Sequence, residues 1–202
     1  MIKIINCKNK NYLKKLIKFL DKRRSKNEID TKIVIKILKE INKNKIKAVK
    51  KYEKKFSKNN KIIPSKNEIK NSLKLLDPKI KKAIDYAYNR ILKFHSLQKF
   101  KDINYKDKYK NKLKYKYIPI QSAGIYVPAN LPSTLLMNVI PAKLAGVKRI
   151  VLANPRFNGK LNPAVMYVAK KAGINEIRSV GGAQAIGMLT YVDKVNKIVG
   201  PG

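Results

Sequence analysis

Cysteine and histidine each occur only once in the 202 residues, as Cys7 and His95. A lone cysteine closes no internal disulfide, and one cysteine with one histidine cannot assemble a Cys/His zinc site. A reducing, cytoplasmic setting is the expected localisation. Long apolar runs are missing too: nothing approaches the ~18 to 20 uninterrupted apolar residues of a membrane span. The opening MIKIINCKNKNYLKK has a short, lysine-interrupted apolar start followed by charge, so no secretory signal is expected there. The glycine-rich dinucleotide fingerprint G-x-G-x-x-G does not occur.

Negative charge is scarce. Asp and Glu number 12 against 48 Lys and Arg, for a net charge of +36. From residue 118 onward there are ten basic and two acidic residues, which leaves +28 of the +36 to the first 117. Such a balance raises nucleic-acid binding as a function class. A surface built for that task clusters its cations and interleaves arginines and aromatics for phosphate forks and base stacking. Here the cations are overwhelmingly lysines, spread among Asn and Ile in stretches such as KNKNYLKKLIK, INKNKIK and KYKNKLKYKY. Lys, Asn and Ile share A/T-rich codons, so coding bias accounts for the composition. Any nucleic-acid binding is expected to be non-specific and confined to low salt.

What is present falls into two parts. Residues 1–117 read as a helical, strongly basic region. Leu13, Leu16, Ile17 and Leu20 recur at helical spacing and predict a helix over 11–22. Ile33, Ile35, Ile37, Leu38 and Ile41 predict a second, resuming beyond Asn42–Asn44 through Ile46, Val49 and Tyr52 to Phe56. Ser65-x-x-Glu68 is a capping box that opens a third, and Asp77-Pro78 opens a long fourth. Residues 102–117 read as a hairpin or exposed connection.

Residues 118–202 have a strand–turn–helix rhythm. Strands are predicted over 123–127, 150–153, 176–180 and 197–199, and helices over 133–145, 164–172 and 183–191. This alternation implies parallel strands joined by crossovers, so the fold class is α/β: a helical front region followed by an incomplete Rossmann-like parallel sheet with βαβ crossovers. Ligands of such sheets bind beyond the carboxyl ends of the strands. Those ends are Tyr126-Val127-Pro128, Ala153-Asn154-Pro155, Val180-Gly181-Gly182 and Val199-Gly200-Pro201-Gly202.

Several ordered blocks resemble the histidinol dehydrogenase family. They are KYEKKF (51–56), AYNRILKFHSLQ (87–98), PIQSAGIYVP (119–128), PSTLLMNVIPAKLAGVKRIVLANP (132–155), NPAVMYVAKKAGINEIRSVGGAQAIGMLTY (162–191) and KIVGPG (197–202). The resemblance runs from about Ile33 to the end, and its most specific element is VGGAQAI with KIVGPG downstream. It implies an NAD-dependent, zinc-containing homodimeric enzyme that oxidises L-histidinol to L-histidine through the aldehyde, at the end of histidine biosynthesis. Two cofactor-binding residues carry over from it: Tyr126, in GIYVP, and Gln184, in GGAQAI. The resemblance also places the family's next cofactor contact, its Glu-His acid–base pair and its zinc ligands beyond Gly202, so no catalytic and no metal-binding residue is expected in this chain.

On that basis the chain is expected to be a fragment or truncated product, inactive alone. The alternatives are the front piece of a split enzyme needing a separate rear half, or a basic nucleic-acid-binding protein with an enzyme-derived domain. His95, three residues before Gln98, has two open readings: a role near substrate or subunit contact, or a helix-packing histidine. Two departures from the family pattern fall at the ligand rim. Ala129-Asn130 replace the usual glycine pair after YVP, leaving less room for a cofactor beside the backbone, and only Val192-Asp193 remain where the family has a longer loop.

Overall fold

The computed structural model describes residues 8, 11–25 and 28–201; Cys7 and Gly202 lie outside them. The front region forms α1 (Tyr12–Ser25), α2 (Glu28–Ser57), α3 (Lys66–Lys74) and α4 (Pro78–Ser96). The predicted caps are in place. Ser65 Oγ accepts from the Glu68 N–H at 3.2 Å, and Asp77 Oδ1 accepts from the Lys79 N–H at 2.6 Å ahead of Pro78. Around Asn42–Asn44 the helix kinks without ending. Lys45 alone leaves helical geometry, at φ 49° and ψ −130°. Packing holds the two arms together, since Ile37 and Ile41 before the kink share one buried cluster with Ala48, Val49 and Tyr52 after it.

The segment 102–117 is a hairpin of β1 (Ile103–Lys106) and β2 (Lys112–Tyr115), antiparallel and exposed along both strands. Asp107 makes its turn, with Oδ1 accepting from the Tyr109 and Asn111 N–H groups at 2.8 Å each.

The second part is β3 (Ser122–Tyr126), α5 (Pro132–Leu144), β4 (Arg149–Ala153), α6 (Pro163–Lys171), β5 (Glu176–Arg178), α7 (Gly182–Tyr191) and β6 (Lys197–Val199). The four strands pair in the order β5-β4-β3-β6, all parallel, which is the expected incomplete Rossmann-like arrangement. The chain steps outward from β3 to β5 and then returns to the other side of β3. The direction of winding therefore reverses between β3 and β6, where a doubly wound sheet opens its crevice.

Both faces of the sheet are covered, so its central strands β3 and β4 carry apolar residues on both sides. Ala123, Ile125, Ile150 and Leu152 pack with Val139 of α5 and Val165 of α6, and Ile84 of α4 joins the same cluster. Val151 and Ala153 turn to the other face, against Met188 and Leu189 of α7 and Ile41 and Val49 of α2. At the amino ends, Ser122 and Asn196 lock β3 to the start of β6: Ser122 N–H and Oγ donate to Asn196 Oδ1 at 2.9 and 2.7 Å.

One strand boundary differs from expectation by more than a residue. The third sheet strand ends at Arg178 instead of Val180, because the loop after α2 takes over its next backbone groups. The Ser179 N–H donates to Ile62 O at 2.7 Å, and Asn59 Nδ2 donates to Ser179 O at 2.7 Å. Among the described residues, no helix is long and apolar enough to cross a membrane.

Candidate functional site

Tyr126 is the last residue of β3 and sits at the point where the winding reverses. Its ring is half-buried against the cluster built by α2 and α7. No described residue hydrogen-bonds its hydroxyl. Across from it, at the end of β6, Gly200 has φ +152°, and a Cβ there would lie 2.4 Å from Tyr126 O and 3.1 Å from Tyr126 Cβ. Only glycine fits so close to another backbone. The Val199-Gly200-Pro201 rim therefore closes directly onto Tyr126.

Gln184 lies in the first turn of α7, on the same face of the sheet as Tyr126. The structure thus brings the two expected cofactor residues to one face at one rim. Their surroundings differ, because Gln184 is only 3% exposed and its Nε2 donates inward to Glu53 Oε2 at 3.0 Å. Glu53 is fully buried on α2 and also meets the Gly181 N–H at 3.4 Å and Asn59 Nδ2 at 3.5 Å. Sequence reasoning did not single out Glu53. Its one signal was a rare acidic residue four positions after Val49, on the apolar stripe of a lysine-rich helix.

The YVPAN loop is anchored by two asparagines. Asn154, just past β4 and fully buried, donates from Nδ2 to Val127 O and Pro128 O at 3.0 Å each, and its own N–H reaches Arg178 O at 2.9 Å. Its Oδ1 is buried without a hydrogen-bond partner. Asn162 caps α6 through Oδ1 and gives Nδ2 to Asn130 Oδ1 at 3.1 Å. Asn130 thus occupies its position with a side-chain tether that a glycine cannot make. The short 192–193 turn is likewise fastened, since Asp193 pairs with Arg178 at 2.6 Å and its carbonyl accepts from Arg149 at 2.8 Å.

Charge around the strands is arranged for structure. Hydrogen bonds from Arg149 hold the Glu176 carboxyl below its ordinary pKa, and Glu176 raises Arg149 in turn. His95 hydrogen-bonds Gln98 on its own chain segment at 2.6 Å and stands edge-on to Phe94; no described carboxylate is paired with it. Among the described residues, no three His, Cys, Asp or Glu side chains are grouped to hold a metal ion, so the residues present do not fit a zinc centre. They do fit part of a dinucleotide site: an aromatic face at the winding reversal, an unpartnered tyrosine hydroxyl, and a fixed glutamine amide on the same face of the sheet.

The histidinol dehydrogenase family model matches residues 20–202. Over its whole length the chain is 55% identical to histidinol dehydrogenase from Pelagibacter ubique (strain HTCC1062) and covers 49% of that protein. It is 36% identical, again over its whole length, to histidinol dehydrogenase from Prochlorococcus marinus subsp. pastoris, of which it also covers 49%. The crystal structure of histidinol dehydrogenase from Elizabethkingia anophelis superposes with a TM-score of 0.79 at 37% identity, over 85% of this chain and 42% of that one. The chain spans about half the length of the curated relatives it matches. It belongs to the histidinol dehydrogenase family.

Proposed function

We propose that this member of the histidinol dehydrogenase family serves the NAD-dependent oxidation of L-histidinol to L-histidine, contributing the part of the enzyme that holds the cofactor. The observation that carries the proposal is the placement of Tyr126 and Gln184 on one face of a parallel sheet, at the carboxyl ends of its strands, with Tyr126 where the winding reverses. NAD, when bound, accepts hydride from the substrate. The residues of this chain bind and orient it. Tyr126 offers a ring face for stacking and a free hydroxyl, and Gln184 offers a fixed amide. Gly200 keeps the rim closed against Tyr126.

No proton transfer and no metal binding is assigned to these residues. Zinc, the acid–base pair and the second subunit of a homodimer enter only through the family resemblance, as does a place in histidine biosynthesis. Titration of NAD into the protein carrying this chain tests the proposal. Tyr126→Ala and Gln184→Ala should each weaken binding by about tenfold, equivalent to about 1.4 kcal/mol. Unchanged affinity in both would count against it. The 202 residues by themselves should reduce no NAD with histidinol and retain no stoichiometric zinc; robust turnover by that purified chain would refute the assignment of roles.

A further inference from the structure

Glu53 is a carboxylate sealed inside the protein without a cation. It is 0% exposed, and no described Lys, Arg or His nitrogen pairs with it. Burying a charged or polar group this deeply is costly unless hydrogen bonds compensate it. The compensation comes from N–H donors converging on it: Gln184 Nε2 at 3.0 Å and the Gly181 N–H at 3.4 Å on Oε2, and Asn59 Nδ2 at 3.5 Å on Oε1. Gly181 is the N-cap residue of α7 and supplies no side-chain cap of its own. Glu53 reaches across from α2 to accept the N–H of that residue, beside the helix end where the positive end of the α7 dipole favours an anion.

This arrangement decides which way Gln184 faces. A carboxylate accepts hydrogen bonds and donates none. The amide must therefore turn Nε2 inward, since the flipped amide would set its oxygen against the carboxylate oxygens. Oε1 is left on the other side, 3.1 Å from where a Cβ on Gly182 would stand. Gly182 has φ +56° and no side chain to block that oxygen.

We infer that Glu53 is a positioning residue for the cofactor: by holding Nε2 of Gln184 it presents that side chain to NAD as a hydrogen-bond acceptor only, matched to a hydroxyl donor of the dinucleotide. The inference rests on the cofactor role proposed above for Gln184.

The test is a double-mutant cycle read by NAD titration into the protein carrying this chain, with Glu53→Gln, Gln184→Ala and the pair together. Each single variant should weaken NAD binding by about tenfold, and the pair should be no weaker than Gln184→Ala alone. Full additivity would show that Glu53 acts only through general stability and would overturn the inference, as would unchanged affinity in Glu53→Gln. Unchanged affinity in Gln184→Ala would instead remove the cofactor role of Gln184, and this inference with it. A second readout needs no cofactor. In the unliganded protein the Gln184 side-chain N–H protons should exchange slowly with solvent and lose that protection in Glu53→Met, an apolar replacement of similar volume that also serves if Glu53→Gln does not fold. Exchange as fast as that of a free glutamine in the unsubstituted protein would also overturn it.

Discussion

Close backbone contact between Gly200 and Tyr126 makes one position unusually sensitive. A methyl group at residue 200 would overlap Tyr126 O and disfavour the φ of +152°. Gly200→Ala is therefore expected to destabilise the protein by about 1–3 kcal/mol, the usual range for forced overpacking. It should also weaken NAD binding, because the atoms displaced belong to Tyr126 itself. Thermal unfolding and NAD titration of the variant check both effects. An unchanged melting temperature would show that the contact is not maintained in solution. Asn154 works at the same scale, since one buried side chain holds the Val127 and Pro128 carbonyls and so sets the path of the YVPAN loop.

Between elements, ion pairs add to the buried apolar contacts, and their acid sensitivity has a definite sign. The Lys171 hydrogen bond, then that of Tyr167, lowers the pKa of Asp85 and ties α4 to α6. Arg156 lowers that of Glu68 and ties the loop after β4 to α3. Arg149 does the same for Glu176 across β4 and β5. A carboxyl whose pKa is lower in the folded than in the unfolded state binds fewer protons when folded. Its stabilisation is therefore fully present above the ordinary carboxylate values of about 4 and is lost as pH falls through the lowered folded values. Urea midpoints should accordingly be flat at mildly acidic pH and drop below about pH 4. Arg149→Met should lose stability at neutral pH and show a smaller acid-induced drop; an identical drop would mean that the Arg149–Glu176 pair contributes nothing.

For the whole molecule, charge is the dominant global property. The net +36 is carried mainly by lysines on exposed helix faces, including a depression of about 530 Å³ on α2 lined by Lys32, Lys36, Lys39 and Lys43 with Ile35 and Glu40. Polyanions should bind at low ionic strength with no sequence preference, and the affinity should fall steeply with added salt through counterion release. Binding isotherms for two unrelated DNA duplexes across a salt series measure this. Tight, sequence-selective binding at physiological salt would favour the nucleic-acid-binding alternative over the enzyme role.

Local chemistry determined much of this protein from the sequence alone. Ser65-x-x-Glu68, Asp77-Pro78 and the apolar runs of the central strands β3 and β4 carry their signals within a few residues, because caps and periodicity are short-range effects. The ordered GIYVP, GGAQAI and KIVGPG blocks placed the chain in its family and marked Tyr126 and Gln184. Tertiary structure decided the rest. Only folding brings Glu53 to a glutamine 131 positions later, lets residues 59–62 end a strand at Arg178, and seats Gly200 on Tyr126. The physical reason is that a buried acceptor, a strand's last hydrogen bonds and a backbone clearance are satisfied by partners distant in sequence, and no local pattern encodes which partner arrives. The rim residues could be named from the sequence, but the amide's direction comes from the packing of α2 against α7.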